Sequence, residues 1–171
     1  NKLNIDIIYR VTADMPYVSE KVAEILLRKH FLQGADYTSA VEAAVGTAPE
    51  VINVQALREV KQHFPNADYS EYMTWYFQNN KEHFRVKLVD LPKDLIRNYR
   101  LTLDYQEDLD LFNKIQCYLD ENKLPESIEN IFAYLDANPE IAGLNSHITL
   151  KYKTDAELIA TLNRVTKISN K

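Results

Sequence analysis

Glycine and cysteine are scarce in this chain of 171 residues, which has three glycines, Gly34, Gly46 and Gly143, and one cysteine, Cys117. A single cysteine excludes an internal disulfide and a cysteine-rich zinc site, and it suits a reducing compartment. Cys117 falls in an apolar helical stretch and reads as a buried structural thiol rather than a nucleophile. Glycines this far apart do not build a phosphate-cradling loop. Long apolar runs are also missing, so no segment has the length of a membrane span, and no signal-peptide pattern is visible. Nor is there an excess of base. The 20 Lys and Arg face 25 Asp and Glu, a net charge of −5, without the basic face that duplex binding needs. The C-terminal stretch is mildly basic through Lys151, Lys153, Arg164, Lys167 and Lys171 against Asp155 and Glu157, and it reads as a solvated helix face. His30, His63, His83 and His147 share no ligand spacing and read as exposed or half-buried side chains. The chain starts at Asn1 without an initiator Met, inside a strand-like run, and is expected to be part of a longer, cytoplasmic protein.

What is present is an ordinary globular composition, 46% apolar and 26% charged. One domain of this size buries roughly two-thirds of its unfolded surface. The β-branched run at residues 5–11 reads as a buried parallel strand, ended before Pro16. Ser19 reads as the N-cap of a helix carrying Val22, Ile25 and Leu26, with Gly34 at its C-terminal end. Residues 37–39 read as a short strand, 40–49 as a loop, 50–54 as a strand and 55–64 as a helix. Residues 68–79 predict a helix with Tyr69, Tyr72, Met73, Tyr76 and Phe77 along a core-facing stripe. Residues 85–89 and 99–103 read as strands, and 106–119 as a helix burying Leu109, Phe112, Ile115 and Leu119. Ser127 opens a helix that Pro139 stops, 144–152 is partly extended, and Thr154 caps a last helix through Val165. Strands alternating with helices predict an α/β sheet sandwiched by helices, with a helical C-terminal extension from about 122.

Two segments share one chemical shape. Asp14 follows the first strand in Arg10-Val11-Thr12-Ala13-Asp14-Met15-Pro16, and Asp104 follows the 99–103 strand in Arg100-Leu101-Thr102-Leu103-Asp104-Tyr105. Ligands of open α/β sheets bind outside the carboxyl ends of strands. If these two strands are parallel neighbours, the two aspartates converge. Paired carboxylates suit Mg²⁺, which takes its remaining ligands from phosphates and water. An Asp after a strand also forms turns or caps helices, and Asp104 stands just before the helix from Gln106.

The first of these segments, with Gly34-Ala35-Asp36-Tyr37-Thr38-Ser39 beyond it, resembles the central part of the spore coat polysaccharide biosynthesis protein F family, which belongs with the acylneuraminate and Kdo cytidylyltransferases. Arg100-Leu101-Thr102-Leu103-Asp104-Tyr105-Gln106-Glu107-Asp108-Leu109 resembles its second signature, R-x-T-x-D-x-P-E-D-L. Glu71 and Thr74, with Asn79 and Asn80, resemble its E-H-x-T motif and the helix after it, and the tail Asn138-Pro139-Glu140 and Leu144-Asn145 resembles extended members.

The resemblance implies a Rossmann-like, three-layer nucleotide-diphospho-sugar transferase fold. It implies CTP as donor, a sugar or sugar acid as acceptor, and Mg²⁺ held by Asp14 and Asp104 as the catalytic and metal-binding pair. Arg10, Glu50, Glu71 and Arg100 then fall to substrate binding. Several positions depart from the family. The Gly-rich N-terminal nucleotide loop is absent, Ala13 replaces a Gly, and Glu71-Tyr72 stands for the E-H pair. Gly46-Thr47-Ala48-Pro49-Glu50 keeps the Gly and Glu of G-L-D-V-E but loses its Asp, and Gln106 replaces a Pro. The chain by itself is therefore expected to be inactive as a cytidylyltransferase. The alternative function is a diverged nucleotidyltransferase-like binding module without turnover. A homodimer is also expected, its contact drawn from Val41, Val45, Val51 and Ile52 of the 40–54 region.

Overall fold

The computed structural model describes residues 4–66 and 68–169. Asn1 and Lys171 of the preceding reading lie outside the described residues. Strand β1 (Ile7–Arg10) turns into helix α1 (Glu20–Leu32), where the Ser19 hydroxyl accepts from the Val22 amide at 3.2 Å and so satisfies one of the free helix-start donors. Gly34, at φ +54°, adopts beyond α1 the left-handed turn that a side chain disfavours. Strands β2 (Tyr37–Ala40) and β3 (Glu50–Asn53) follow, then α2 (Val54–His63), α3 (Met73–Gln78) and β4 (Val86–Val89). The rest is helical: α4 (Gln106–Asn122), α5 (Ile128–Ala137), the short α6 (Pro139–Ala142) and α7 (Lys151–Thr154), and α8 (Ala156–Val165).

The described strands form a four-stranded sheet in the order β1-β3-β2-β4. β2 and β4 run parallel, and β3 is antiparallel to both of its neighbours. Alternation along β3 sends Val51 and Ile52 to opposite faces. Val51 joins a core built by α1, α4 and α5, in which Leu26, Leu111, Ile115, Leu119 and Ile131 are almost fully buried. Ile52 joins a second core with Tyr37, Val60, Tyr76, Phe77 and Phe84. The α/β sheet with helices on both faces is the expected architecture. Truncating any of these buried leucines to Ala would cost about 2–5 kcal/mol.

Several expectations are corrected. The 5–11 run is not a buried parallel strand. β1 lies at the sheet edge, antiparallel to β3, and Tyr9 is 43% exposed. Residues 99–103 are not a neighbouring strand of β1. They make one isolated parallel bridge, between Arg100 and Val45, and otherwise run as an extended segment. Their apolar character reflects Leu101, which is buried in the first core without belonging to the sheet. On α4, Ile115 and Leu119 face inward, which turns Cys117 to solvent, and Leu109 is also exposed. His30 is buried rather than half-exposed, its Nδ1 2.9 Å from the Thr38 hydroxyl.

The 68–79 helix is α-helical only from Met73, because Tyr72 departs from helical geometry at φ −98°, ψ 48°. Tyr76 and Phe77 are buried as expected, whereas Tyr72 leaves the stripe. Asp155, not Thr154, caps α8 by accepting the Glu157 and Leu158 amides at 3.0 Å. Val51 and Ile52 are covered by this chain's own helices, so of the four residues expected at a dimer contact they are unavailable, while Val41 is exposed.

Candidate functional site

A cleft of about 1090 Å³ opens beside the sheet, and all six candidate residues, Arg10, Asp14, Glu50, Glu71, Arg100 and Asp104, line it. They come from the end of β1, the start of β3, the turn before α3 and the 99–105 segment, and they fall into two clusters.

The first cluster is a product of strand register. Arg10 stands opposite Glu50 in the β1–β3 pairing, and Nη1 meets Glu50 Oε2 at 2.6 Å. Arg10 Nη2 donates to the Glu71 carbonyl at 3.1 Å, so Glu71 enters this cluster through its backbone while its side chain stays exposed. The Tyr37 hydroxyl donates to the other Glu50 oxygen, and the Thr74 hydroxyl lies 2.5 Å from Tyr37 Oη. Tyr37 is fully buried and stacked on Phe77 with ring centroids 4.8 Å apart. Burial first, and then the Glu50 charge, hold its phenol far above the ordinary value, so it remains a donor.

The second cluster centres on a residue that was not singled out for the site. Asp108 is fully buried and accepts five hydrogen bonds. Arg100 Nε and Nη2 donate at 2.9 and 3.1 Å, the Asp104 and Tyr105 amides at 3.0 Å each, and Asn145 Nδ2 at 2.7 Å. Asp108 therefore performs the helix-start role that the sequence also offered to Asp104, and Asp104 instead meets Arg100 Nη2 at 2.5 Å. Burial pushes the Asp108 carboxyl up, but Arg100, the two amides and Asn145 outweigh it and hold it below the usual carboxylate range. For Arg100 burial works the other way, and the two carboxylates outweigh it and raise its affinity for the proton. Asn145 also donates to the Arg100 carbonyl at 2.9 Å, which fixes the segment from the tail side.

Asp14 joins the 99–105 segment directly. Its carboxylate accepts the Thr102 hydroxyl at 2.6 Å, and its carbonyl accepts the Leu103 amide at 2.9 Å. Burial pushes the Asp14 carboxyl up, but the Thr102 and Thr12 hydroxyls, its own amide and Arg10 lower it on balance. Gly46 lets its own loop, bridged at Val45 to Arg100, lie close against the same segment. At φ +87°, a Cβ there would sit 2.0 Å from the Leu101 carbonyl oxygen. The two aspartates thus share one wall, although they do not follow adjacent strands. Among the described residues no group of three His, Cys, Asp or Glu side chains is placed to hold a metal.

The far wall comes from the tail. Thr149, Lys151, Tyr152 and Lys153 line the cleft, and Lys151 and Lys153 are exposed on a short helix, as the reading of a solvated face has them, while also bordering the site. Asp108 and Asn145 stood within quoted motifs, so their positions were legible and only their roles were missed. Tyr37 was legible in the same way, within Gly34-Ala35-Asp36-Tyr37-Thr38-Ser39, whereas the basic tail gave no sign that its lysines line a cleft.

This sheet, with motif residues from distant segments converging on one cleft, defines a nucleotidyltransferase-like α/β domain. The family model described as Cytidylyltransferase matches residues 1–151, and the chain belongs to that family. It is 30% identical over 139 residues to the spore coat polysaccharide biosynthesis protein SpsF of Bacillus subtilis, covering 80% of this chain and 57% of that protein. It is 31% identical over 157 residues to an uncharacterized protein of Methanocaldococcus jannaschii, covering 89% of this chain and 62% of that one. A solved cytidylyltransferase from Leptospira borgpetersenii shares its fold, with a TM-score of 0.68 at 22% identity over 85% of this chain and 61% of the other. The chain therefore spans about three-fifths of the length of these relatives. None of the described helices is long and apolar enough to cross a membrane.

Proposed function

We propose that this cleft is part of the active site of a CTP-dependent cytidylyltransferase that joins CMP to a sugar or sugar acid for surface polysaccharide synthesis in the cytoplasm. The observation that carries the reading is the convergence of six motif positions, spread from Arg10 to Asp104, on one cleft. In this reaction the acceptor hydroxyl oxygen bonds to the α-phosphorus of CTP, the bond from that phosphorus to the bridging oxygen breaks, and pyrophosphate leaves.

The two carboxylates fit Mg²⁺. Asp14 is held in its charged form by hydroxyl donors, Asp104 is oriented by Arg100, and a two-carboxylate set matches the ion's preference for completing its shell with phosphate and water oxygens. When bound, the ion would neutralise charge on the phosphates. The protein's own part is positioning. Arg100 is locked by Asp108 and Asp104, and Arg10 by Glu50, so the walls are rigid before substrate arrives. A homodimer belongs to the same reading, and sedimentation as a monomer at high micromolar concentration would remove it.

The test is pyrophosphate release from CTP against a panel of sugars and sugar acids, with the protein as encoded in its gene. Asp14→Asn keeps an oxygen for Thr102 and the backbone bond to Leu103, so its Tm should stay close to that of the wild type. Its kcat should fall by roughly a hundredfold or more. A wild-type protein that releases no pyrophosphate with any acceptor, or an Asp14→Asn variant with unchanged kcat, overturns the proposal.

A further inference from the structure

The cleft lacks available positive charge where its family motifs lie. Arg10 is neutralised by Glu50 at 2.6 Å, and Arg100 is shared between Asp104 and Asp108 at 2.5 and 2.9 Å. Asp14 and Glu71 add two further carboxylates to the lining. Any polyanion entering such a cleft meets guanidinium groups whose charge is already compensated. Two other cations line the same space, Lys151 and Lys153 of α7, and among the described residues neither makes an ion pair.

These lysines sit on an anchored segment. Between them Tyr152 is half-buried, with its ring 6.5 Å from that of Tyr72. Burial raises the Tyr152 phenol, the Glu50 charge adds to this and the Arg100 charge opposes it. Behind α7, α8 is fastened to the end of α3. Asn80 Nδ2 donates to the Thr166 carbonyl at 2.7 Å, Asn80 Oδ1 accepts the Ile168 amide at 2.8 Å, and Asn79 Nδ2 donates to the Thr166 hydroxyl at 2.8 Å. Asp155, the acidic neighbour of the lysines, is engaged as the α8 cap. The family match ends at residue 151, so Lys153 and α8 lie beyond the matched segment, while the Asn79 and Asn80 that hold α8 lie within it.

We infer that Lys151 and Lys153 form an anion subsite on the tail-side wall of the cleft, which takes the phosphate chain of the bound nucleotide. The assignment rests on the cytidylyltransferase reading only for the identity of the nucleotide. A compact ammonium on a flexible stem suits phosphate oxygens that shift position during a reaction, whereas the fixed guanidinium forks opposite suit carboxylates held in place. The subsite also accounts for a mildly basic tail on an acidic chain.

Trp75, the single tryptophan, lines the cleft and reports occupancy by its fluorescence. Inorganic tripolyphosphate, CTP, cytidine and glucuronate would be titrated into the 171-residue chain and into Lys151→Ala/Lys153→Ala and Lys151→Arg/Lys153→Arg variants, with folding checked by circular dichroism. The alanine pair should weaken tripolyphosphate and CTP binding about tenfold or more, leave cytidine unchanged and flatten the salt dependence. The arginine pair should stay within about threefold of wild type. Wild type that does not bind tripolyphosphate, an alanine pair that binds it normally, or a loss confined to glucuronate overturns the inference. The two proposals fail separately. Tripolyphosphate binding lost in the alanine pair supports the subsite even if no pyrophosphate is ever released from CTP. Normal CTP turnover in the alanine pair removes the subsite and leaves the cytidylyltransferase reading standing.

Discussion

Asp108 decides more of this site than either aspartate that resembles a metal ligand. A buried carboxylate is tolerable only when paired and hydrogen-bonded, and its five donors meet that condition while aligning Arg100 and starting α4. Asp108→Ala would leave Arg100, 8% exposed, with Asp104 as its sole carboxylate partner and would strand two amides. The expected loss is about 3 kcal/mol or more of unfolding free energy, measured by urea denaturation. A change below about 1 kcal/mol would mean that water replaces the lost carboxylate easily. Asp14 differs in kind. Its bonds to Thr102 and Leu103 survive the change to Asn, so its removal tests chemistry, whereas removing Asp108 tests architecture.

Short elements are placed by single polar residues. α7 and α8 are too short to persist alone, since isolated helices of this length are marginal in water. The tail is held by Leu162, buried at 0% exposure, and by the Asn80 side chain, which bonds at once to the Tyr76 carbonyl, the Thr166 carbonyl and the Ile168 amide. Asn80→Ala removes the side-chain partner of all three of these backbone groups in a buried setting, at a cost of about 2 kcal/mol or more. Amides of α8 should then exchange with deuterium faster than those of α4, and tripolyphosphate binding should weaken because Lys151 and Lys153 lose their anchor. Equal protection of α8 in wild type and variant would show that Leu162 alone holds the tail.

For the whole molecule, the two cores on either side of the sheet place one titratable group awkwardly. His30 is 2% exposed, its Nδ1 faces Thr38, and its Nε2 is buried without a partner among the described residues. Burial lowers its proton affinity, Asp36 opposes this, and Arg85, itself paired with Asp36, reinforces it. Because the folded-state pKa lies below the unfolded value of about 6.5, the unfolded chain binds the proton first. Stability from His30 is therefore complete above about pH 6.5 and is lost as the pH falls below it, by at most about 1.4 kcal/mol per pH unit. Melting curves from pH 7.5 to 5 should show this decline, and His30→Gln should flatten it. An unchanged slope in the variant would place the acid sensitivity elsewhere.

Local patterns were legible where local physics suffices. The Ser19 cap, the turn at Gly34, the apolar faces of α4 and α5 and the motif positions around Asp14 and Asp104 depend on neighbours within a few residues, and the α/β class follows from their alternation. Pairing direction depends on contacts that no short window contains. β1 looked parallel because a β-branched run carries no information on its return path, and 99–103 looked like a strand because a buried extended segment has the same composition. The Arg10–Glu50 and Asp14–Thr102 contacts join residues 40 and 88 positions apart. By itself the amino-acid sequence determined which side chains the cleft has to work with and where most helices lie, though not the start of α3 or the cap of α8. The tertiary structure alone decided that the tail turns back to bring Lys151 and Lys153 to the same cleft, because that placement follows from the docking of α8 on Asn79 and Asn80.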